Sequence, residues 1–117
     1  MQPSTRDPRA SCPPEDGFAL ARRYRFIGWI AASPFVDRIV LYGSRARRDH
    51  HDRSDIDLAV ACPRATPAEW LDLVELVDER ADTLLAVDLV RLDVLTPTDR
   101  LRLAIEREGV ELYRREP

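Results

Sequence analysis

Apolar positions recur along the chain with two periods, and the switches between them outline its elements. From Glu15 to Ala32, Leu20, Tyr24, Ile27 and Ile30 or Ala31 fall at helical spacing, with Arg22, Arg23 and Arg25 on the other side. That pattern predicts an amphipathic helix, ended by Ser33-Pro34. Phe35 to Tyr42 reads as a strand, Ser44 to about Arg48 as a short helix or turn, and Ser54 to Ala61 as a second strand. Thr66, Pro67 and Glu69 have the form of a capping box with proline at the first helical position. The helix they open carries an apolar stripe of Trp70, Leu73 or Val74, Val77, Ala81 and Leu84. Ala86 to Leu95 is a third strand, with Val87 and Leu89 on one face and Asp88 on the other.

Thr96-Pro97, with Asp99 at the third position, repeats the helix-start chemistry, and Leu101, Ala104 and Ile105 continue as the apolar face. Gly109 closes that helix, and Val110 to Tyr113 forms a short last strand. Met1 to Pro14 is polar and carries Pro3, Pro8, Pro13 and Pro14, which predicts a disordered tail before one domain over 15–114. Strands alternating with helices give an α/β (α+β) fold, a mixed sheet of three to four strands flanked by helices.

The stretch from Val40 to Val60 carries the candidate chemistry. The apolar run Ile39-Val40-Leu41-Tyr42 stops at Gly43-Ser44, a charged segment follows, and a second apolar run carries Asp55 and Asp57. With a side-chain period of two, those aspartates project from one face of a strand, about 7 Å apart along the chain. Ile56, Leu58 and Val60 take the other face. Folding gains nothing from two carboxylates side by side, since they repel. A divalent cation explains them, because Mg²⁺ is typically held by one or two carboxylates together with substrate phosphates. Gly43 permits a sharp turn and close approach to a ligand, and Ser44 with the N–H groups after it can meet phosphate oxygens.

Gly43-Ser44-Arg45-Ala46-Arg47, followed by Ser54-Asp55-Ile56-Asp57-Leu58, resembles the GSRAR…SDIDL signature of the minimal nucleotidyltransferases. These are small members of the DNA polymerase β-like superfamily, often the antitoxin partner of a HEPN-domain toxin. The resemblance runs from about Arg22 to Tyr113, and it departs at Arg48, where the family has glycine. That departure bears on the shape of the turn and removes no carboxylate. The family's third acid sits in a short apolar strand of the form VDLV, which Val87-Asp88-Leu89-Val90 matches; Asp93, nearer the strand end, reads as a solvated or paired residue.

The resemblance implies a polymerase β-like fold and a Mg²⁺-dependent transfer of AMP from ATP. Asp55, Asp57 and Asp88 would be the metal-binding and catalytic acids. Gly43, Ser44, Arg45 and Arg47 would hold phosphate, the arginines by bidentate hydrogen bonds. The implied acceptor is a hydroxyl of a partner protein, a tyrosine of a HEPN toxin. Two alternatives stand beside it: an antitoxin that works by binding alone, and an aminoglycoside-type small-molecule transferase. The latter usually has an extra helical domain, for which 117 residues leave no room.

Composition narrows the field. All 18 positive residues are arginine, so a lysine base, nucleophile or Schiff base is excluded. The net charge of −3 argues against bulk nucleic-acid binding. No stretch approaches the roughly 18 apolar residues of a membrane helix, and the N-terminus has no secretory pattern, which together predict a cytoplasmic protein. Cys12 and Cys62 are far apart with no CxxC pair and read as free thiols. His50 and His51 read as solvated or as phosphate contacts, and Trp70 as a core residue. A domain this small has limited core, so a homo- or hetero-oligomeric partner is expected to cover an edge or helix face.

Overall fold

A computed structural model of the chain describes residues 23–51 and 53–116. The predicted tail, and the predicted helix from Glu15 to Arg22, lie outside the described residues. The elements are α1 (Arg25–Ala32), β1 (Arg38–Tyr42), α2 (Ser44–Arg47), β2 (Ile56–Ala61), α3 (Pro67–Arg80), β3 (Val87–Arg91), a 3₁₀ turn (Leu92–Val94), α4 (Arg100–Glu108) and β4 (Val110–Arg114). The strands form one mixed sheet in the order β3-β2-β1-β4. β1 runs antiparallel to β2 and β4, while β2 and β3 are parallel. A parallel pair cannot be joined by a tight turn, and α3 supplies the crossover between β2 and β3.

Strand alternation sorts the sheet into two unequal faces. Ile39, Leu41, Ile56, Leu58 and Val60 point to one face and join Phe26, Ile27 and Ile30 of α1 and Leu73 and Val77 of α3 in the main core. Trp70 packs at the edge of that core. On the other face Val40 and Ala59 meet Leu92 and Ile105 in a smaller cluster under the 3₁₀ turn and α4. The alanines at 59 and 61 keep this face of β2 shallow, which lets those elements come close.

Several boundaries depart from the sequence expectation, each for an identifiable reason. Tyr24 is extended, so α1 starts at Arg25 instead of continuing from Glu15. No side chain of its own caps it; the Asp82 carboxylate, from the loop after α3, accepts the N–H groups of Arg25 at 2.9 Å and Phe26 at 3.2 Å. The Thr66 capping box forms as expected, with reciprocal bonds between Thr66 and Glu69. The helix it opens stops at Arg80, however, and Leu84, placed by periodicity on its stripe, is fully exposed in the following loop. At the last helix Asp99 is itself the N-cap, its side chain accepting the N–H of Leu101, so Thr96-Pro97 stays outside. The third strand is shorter than Ala86–Leu95, because Asp93 turns into the protein and binds the Cys62 N–H at 2.8 Å and the Arg91 guanidinium. Gly109 does close α4, yet with an ordinary negative φ. Glycine is needed there because a Cβ would collide with Val40 and the Ile105 carbonyl.

Candidate active site

The register places Tyr42 opposite Asp57 across β1–β2, and Asp57 opposite Asp88 across β2–β3. The three therefore form one cross-strand row, on the face that carries Val40 and Ala59. One row further in, that face is apolar and covered by Ile105 and Leu92. A two-residue step along each strand thus separates the core from a wet row of acids at the sheet's end, the end from which α2 leaves.

Asp57 and Asp88 are the centre of this row. Their carboxyl groups lie within hydrogen-bonding reach of each other, and Asp57 is held above the usual carboxylate range, first by partial burial, then by the charges of Asp88 and Asp55. Arg47 opposes that shift weakly. The Tyr42 phenol is pushed up to about 12 by burial and by the same two carboxylates, Asp57 and Asp88. Asp55 is not in the strand, which begins at Ile56; it stands exposed at the entrance, close enough for its charge to bear on Asp57.

The turn into α2 is shaped around Asp57. Gly43 has φ +77 and ψ −156, a conformation essentially restricted to glycine, and a Cβ on it would overlap the Asp57 carboxylate. The Gly43 carbonyl then accepts the N–H groups of Ala46 at 3.1 Å and Arg47 at 3.0 Å, which winds α2 directly from the turn. Ser44 follows as the first residue of α2, and its carbonyl accepts the N–H of Asp49 at 3.0 Å.

The four arginines of the segment have separate fates. Arg45, expected to clamp phosphate, is 4% exposed and turned inward, where Nε and an Nη donate to the Ser54 carbonyl at 3.2 Å. Its environment is that of a tie between α2 and the approach to β2. Arg47 is half exposed and shared between Asp49 at 3.0 Å and Glu108 at 3.5 Å. Arg48 caps α2 in the left-handed conformation, φ 65 and ψ 25. Arg53 is exposed beyond it.

His51 closes the loop: its N–H donates to the Ser54 hydroxyl at 2.9 Å, its carbonyl accepts the Ser54 N–H, and Nδ1 accepts the N–H of Arg53. His50 Nδ1 is buried without a hydrogen-bond partner among the described residues. Sequence reasoning missed Tyr42 and Glu108, and it placed Ser54 in the motif without a role. Tyr42 could have been found from parity, since it immediately precedes Gly43 on a strand. Glu108 could not, because only folding brings the end of α4 beside α2.

Among the described residues no three histidine, cysteine or acidic side chains converge as a complete metal cage. The donor set is an adjacent pair, Asp57 and Asp88, with Asp55 at the edge. Such a set suits Mg²⁺, a hard cation that commonly takes one or two carboxylates and completes its shell with phosphate oxygens and water. Two carboxyl groups facing each other need a proton or a cation between them, so the pair fits the ion on charge as well as on ligand type.

The polymerase β nucleotidyltransferase family matches this sequence over residues 28–117, and the chain belongs to that family. No curated protein matches the sequence. Among solved structures, the toxin–antitoxin with AMP-PNP aligns with TM-score 0.59 and 24% identity over 79% of this chain and 73% of the other. A mutant of the toxin–antitoxin MntA-HpeT aligns with TM-score 0.55 and 21% identity over 79% of this chain and 70% of the other. At these identities the likeness is one of fold. No helix among the described residues is long and apolar enough to cross a membrane.

Proposed function

We propose that the chain is a Mg²⁺-dependent nucleotidyltransferase that moves AMP from ATP to a hydroxyl of a partner protein, a tyrosine of a HEPN-type toxin, and so acts as an antitoxin in the cytoplasm. The observation that carries this reading is the Asp57–Asp88 pair on neighbouring strands, with the Gly43 backbone against it. The family supports the transfer chemistry. The toxin–antitoxin neighbours, one of them holding AMP-PNP, support the partner and the nucleotide.

In this reading Asp57 and Asp88 hold Mg²⁺, with Asp55 contributing from the strand entrance. The ion supplies neutralisation of the triphosphate and of the departing pyrophosphate. Gly43 brings the chain close without a side chain, so the phosphates can lie over Gly43-Ser44. Asp88, exposed at the rim, is the carboxylate best placed to accept the proton of the attacking hydroxyl. Arg45 positions the approach to β2 through the Ser54 carbonyl, and Arg47 provides positive charge near Asp57.

Label transfer tests it. The protein is incubated with α-labelled ATP, Mg²⁺ and the purified product of the adjacent reading frame, in wild type and Asp57→Asn forms. Label on the neighbour with wild type only is the expected result. A stable complex without label would instead favour an antitoxin that neutralises by binding.

A further inference from the structure

We propose that Arg48, assisted by Arg53, is the residue that grips the outer phosphates of the donor nucleoside triphosphate; this rests on the nucleotidyltransferase reading above. A triphosphate carries several negative charges, and the metal-binding carboxylates beneath it are negative too. Mg²⁺ would offset part of that charge, and guanidinium groups of the chain that reach the outer phosphates add to the hold on them. The two arginines that the sequence motif offers are already occupied. Arg45 is buried on the Ser54 carbonyl, and Arg47 is divided between Asp49 and Glu108.

Arg48 and Arg53 differ from them. Both are exposed, and neither guanidinium has a hydrogen bond or ion pair with any described residue. Of the two acids among the described residues of this loop, Asp49 is held by Arg47, and Asp55 stands at the strand entrance where its charge bears on Asp57.

Arg48 also pays an uncommon conformational penalty. Among the described residues it alone, apart from glycine, has positive φ. Its N–H is tied to the Ser44 carbonyl, so a left-handed residue is built into the end of α2, where glycine would fit without strain. An L-residue kept in that conformation is often retained for its side chain. Here the side chain does nothing for the described fold. It stands one helical turn beyond Gly43-Ser44, about 6 Å along the axis, on the same segment whose start lies against Asp57. A triphosphate whose α-phosphorus sits at the carboxylates extends its other phosphates over that distance. The charge of Arg48 is thereby placed to distinguish triphosphate from monophosphate.

Calorimetric titration with Mg²⁺ present tests this, using ATP, AMP and inorganic tripolyphosphate on wild type, Arg48→Gly and Arg48→Lys. Arg48→Gly should bind ATP and tripolyphosphate about tenfold more weakly, keep AMP affinity within about twofold, and melt at a higher temperature than wild type. Arg48→Lys should recover part of the ATP affinity, because it keeps the charge and loses the fork. A rise in stability with a fall in affinity is not what a merely structural role produces. Unchanged ATP affinity, or equal losses for ATP and AMP, would overturn the proposal. If wild type bound tripolyphosphate through Arg48 but neither nucleotide, the anion site would stand and the nucleotidyltransferase reading would fall. If wild type bound none of the three, both would fall.

Discussion

Gly43 and Asp57 lie against each other so closely that a single Cβ on the glycine would occupy the space of the aspartate's carboxylate. The contact joins the turn of the glycine-serine motif to the acid of the central strand, and it makes the two motif halves one structural unit. Gly43→Ala should therefore cost about 1–3 kcal/mol from the backbone conformation alone, with a further loss from displacing Asp57. Thermal unfolding gives the first quantity, and Mn²⁺ titration followed by electron paramagnetic resonance gives the second. Full Mn²⁺ affinity in that variant would show that the Asp57 carboxylate does not need the glycine.

Asp57 is held above the usual carboxylate range by burial and by its acidic neighbours, Asp88 and Asp55. The sign follows: in metal-free buffer this group favours the folded state at low pH, and its contribution declines as pH rises through the unfolded value of 3.8 to the raised folded value. Above that range the ionised carboxylate opposes folding. Asp57→Asn should consequently raise metal-free stability at pH 7, by up to about 1 kcal/mol. The same change should abolish any added stability from Mg²⁺. Melting curves in chelator and in Mg²⁺ would check both; a destabilised Asp57→Asn protein in chelator would contradict the repulsion argument.

Asp82 acts in the opposite direction. Its carboxylate caps α1 through the N–H groups of Arg25 and Phe26, and the Arg25 N–H bond leads the causes that hold it below the usual range. Its contribution is present above the unfolded value and disappears as pH falls through the lowered folded value. Asp82→Ala should cost about 1 kcal/mol, the size of a lost N-cap at an exposed site. Amide exchange should speed up at Arg25 and Phe26 before it does in the sheet.

Arg48 carries a left-handed backbone that an L-residue adopts at a cost of about 1 kcal/mol. Arg48→Gly should gain up to that amount, partly offset by the greater freedom of glycine in the unfolded chain. Denaturant midpoints at unchanged slope would measure it.

Cys62 is fully buried, and its thiol is pushed up to about 11, chiefly by burial and then by the nearby Asp93 carboxylate. In a Cys12→Ser background it should react with thiol reagents at pH 8 far more slowly than the unfolded chain does. Reaction at the unfolded rate would mean that the β2 end opens freely.

Local chemistry in the sequence determined the elements that depend on neighbours along the chain. The Thr66-Pro67-Glu69 start, the short helix after Gly43 and the alternation through β2 and β3 are settled within a few residues. The motif residues Gly43 and Asp57 could likewise be picked out from one-dimensional spacing, and Asp88 from the family pattern that Val87-Asp88-Leu89-Val90 resembles. Tertiary structure alone decided what depends on partners distant in the chain. Only the sheet register puts Tyr42, Asp57 and Asp88 in one row. Only packing turns Arg45 inward and sets Glu108 on Arg47. The start of α1 depends on Asp82, 57 residues beyond Arg25. Periodicity records which face a residue prefers; it carries no record of which group waits on that face, because the opposing group arrives from another part of the chain.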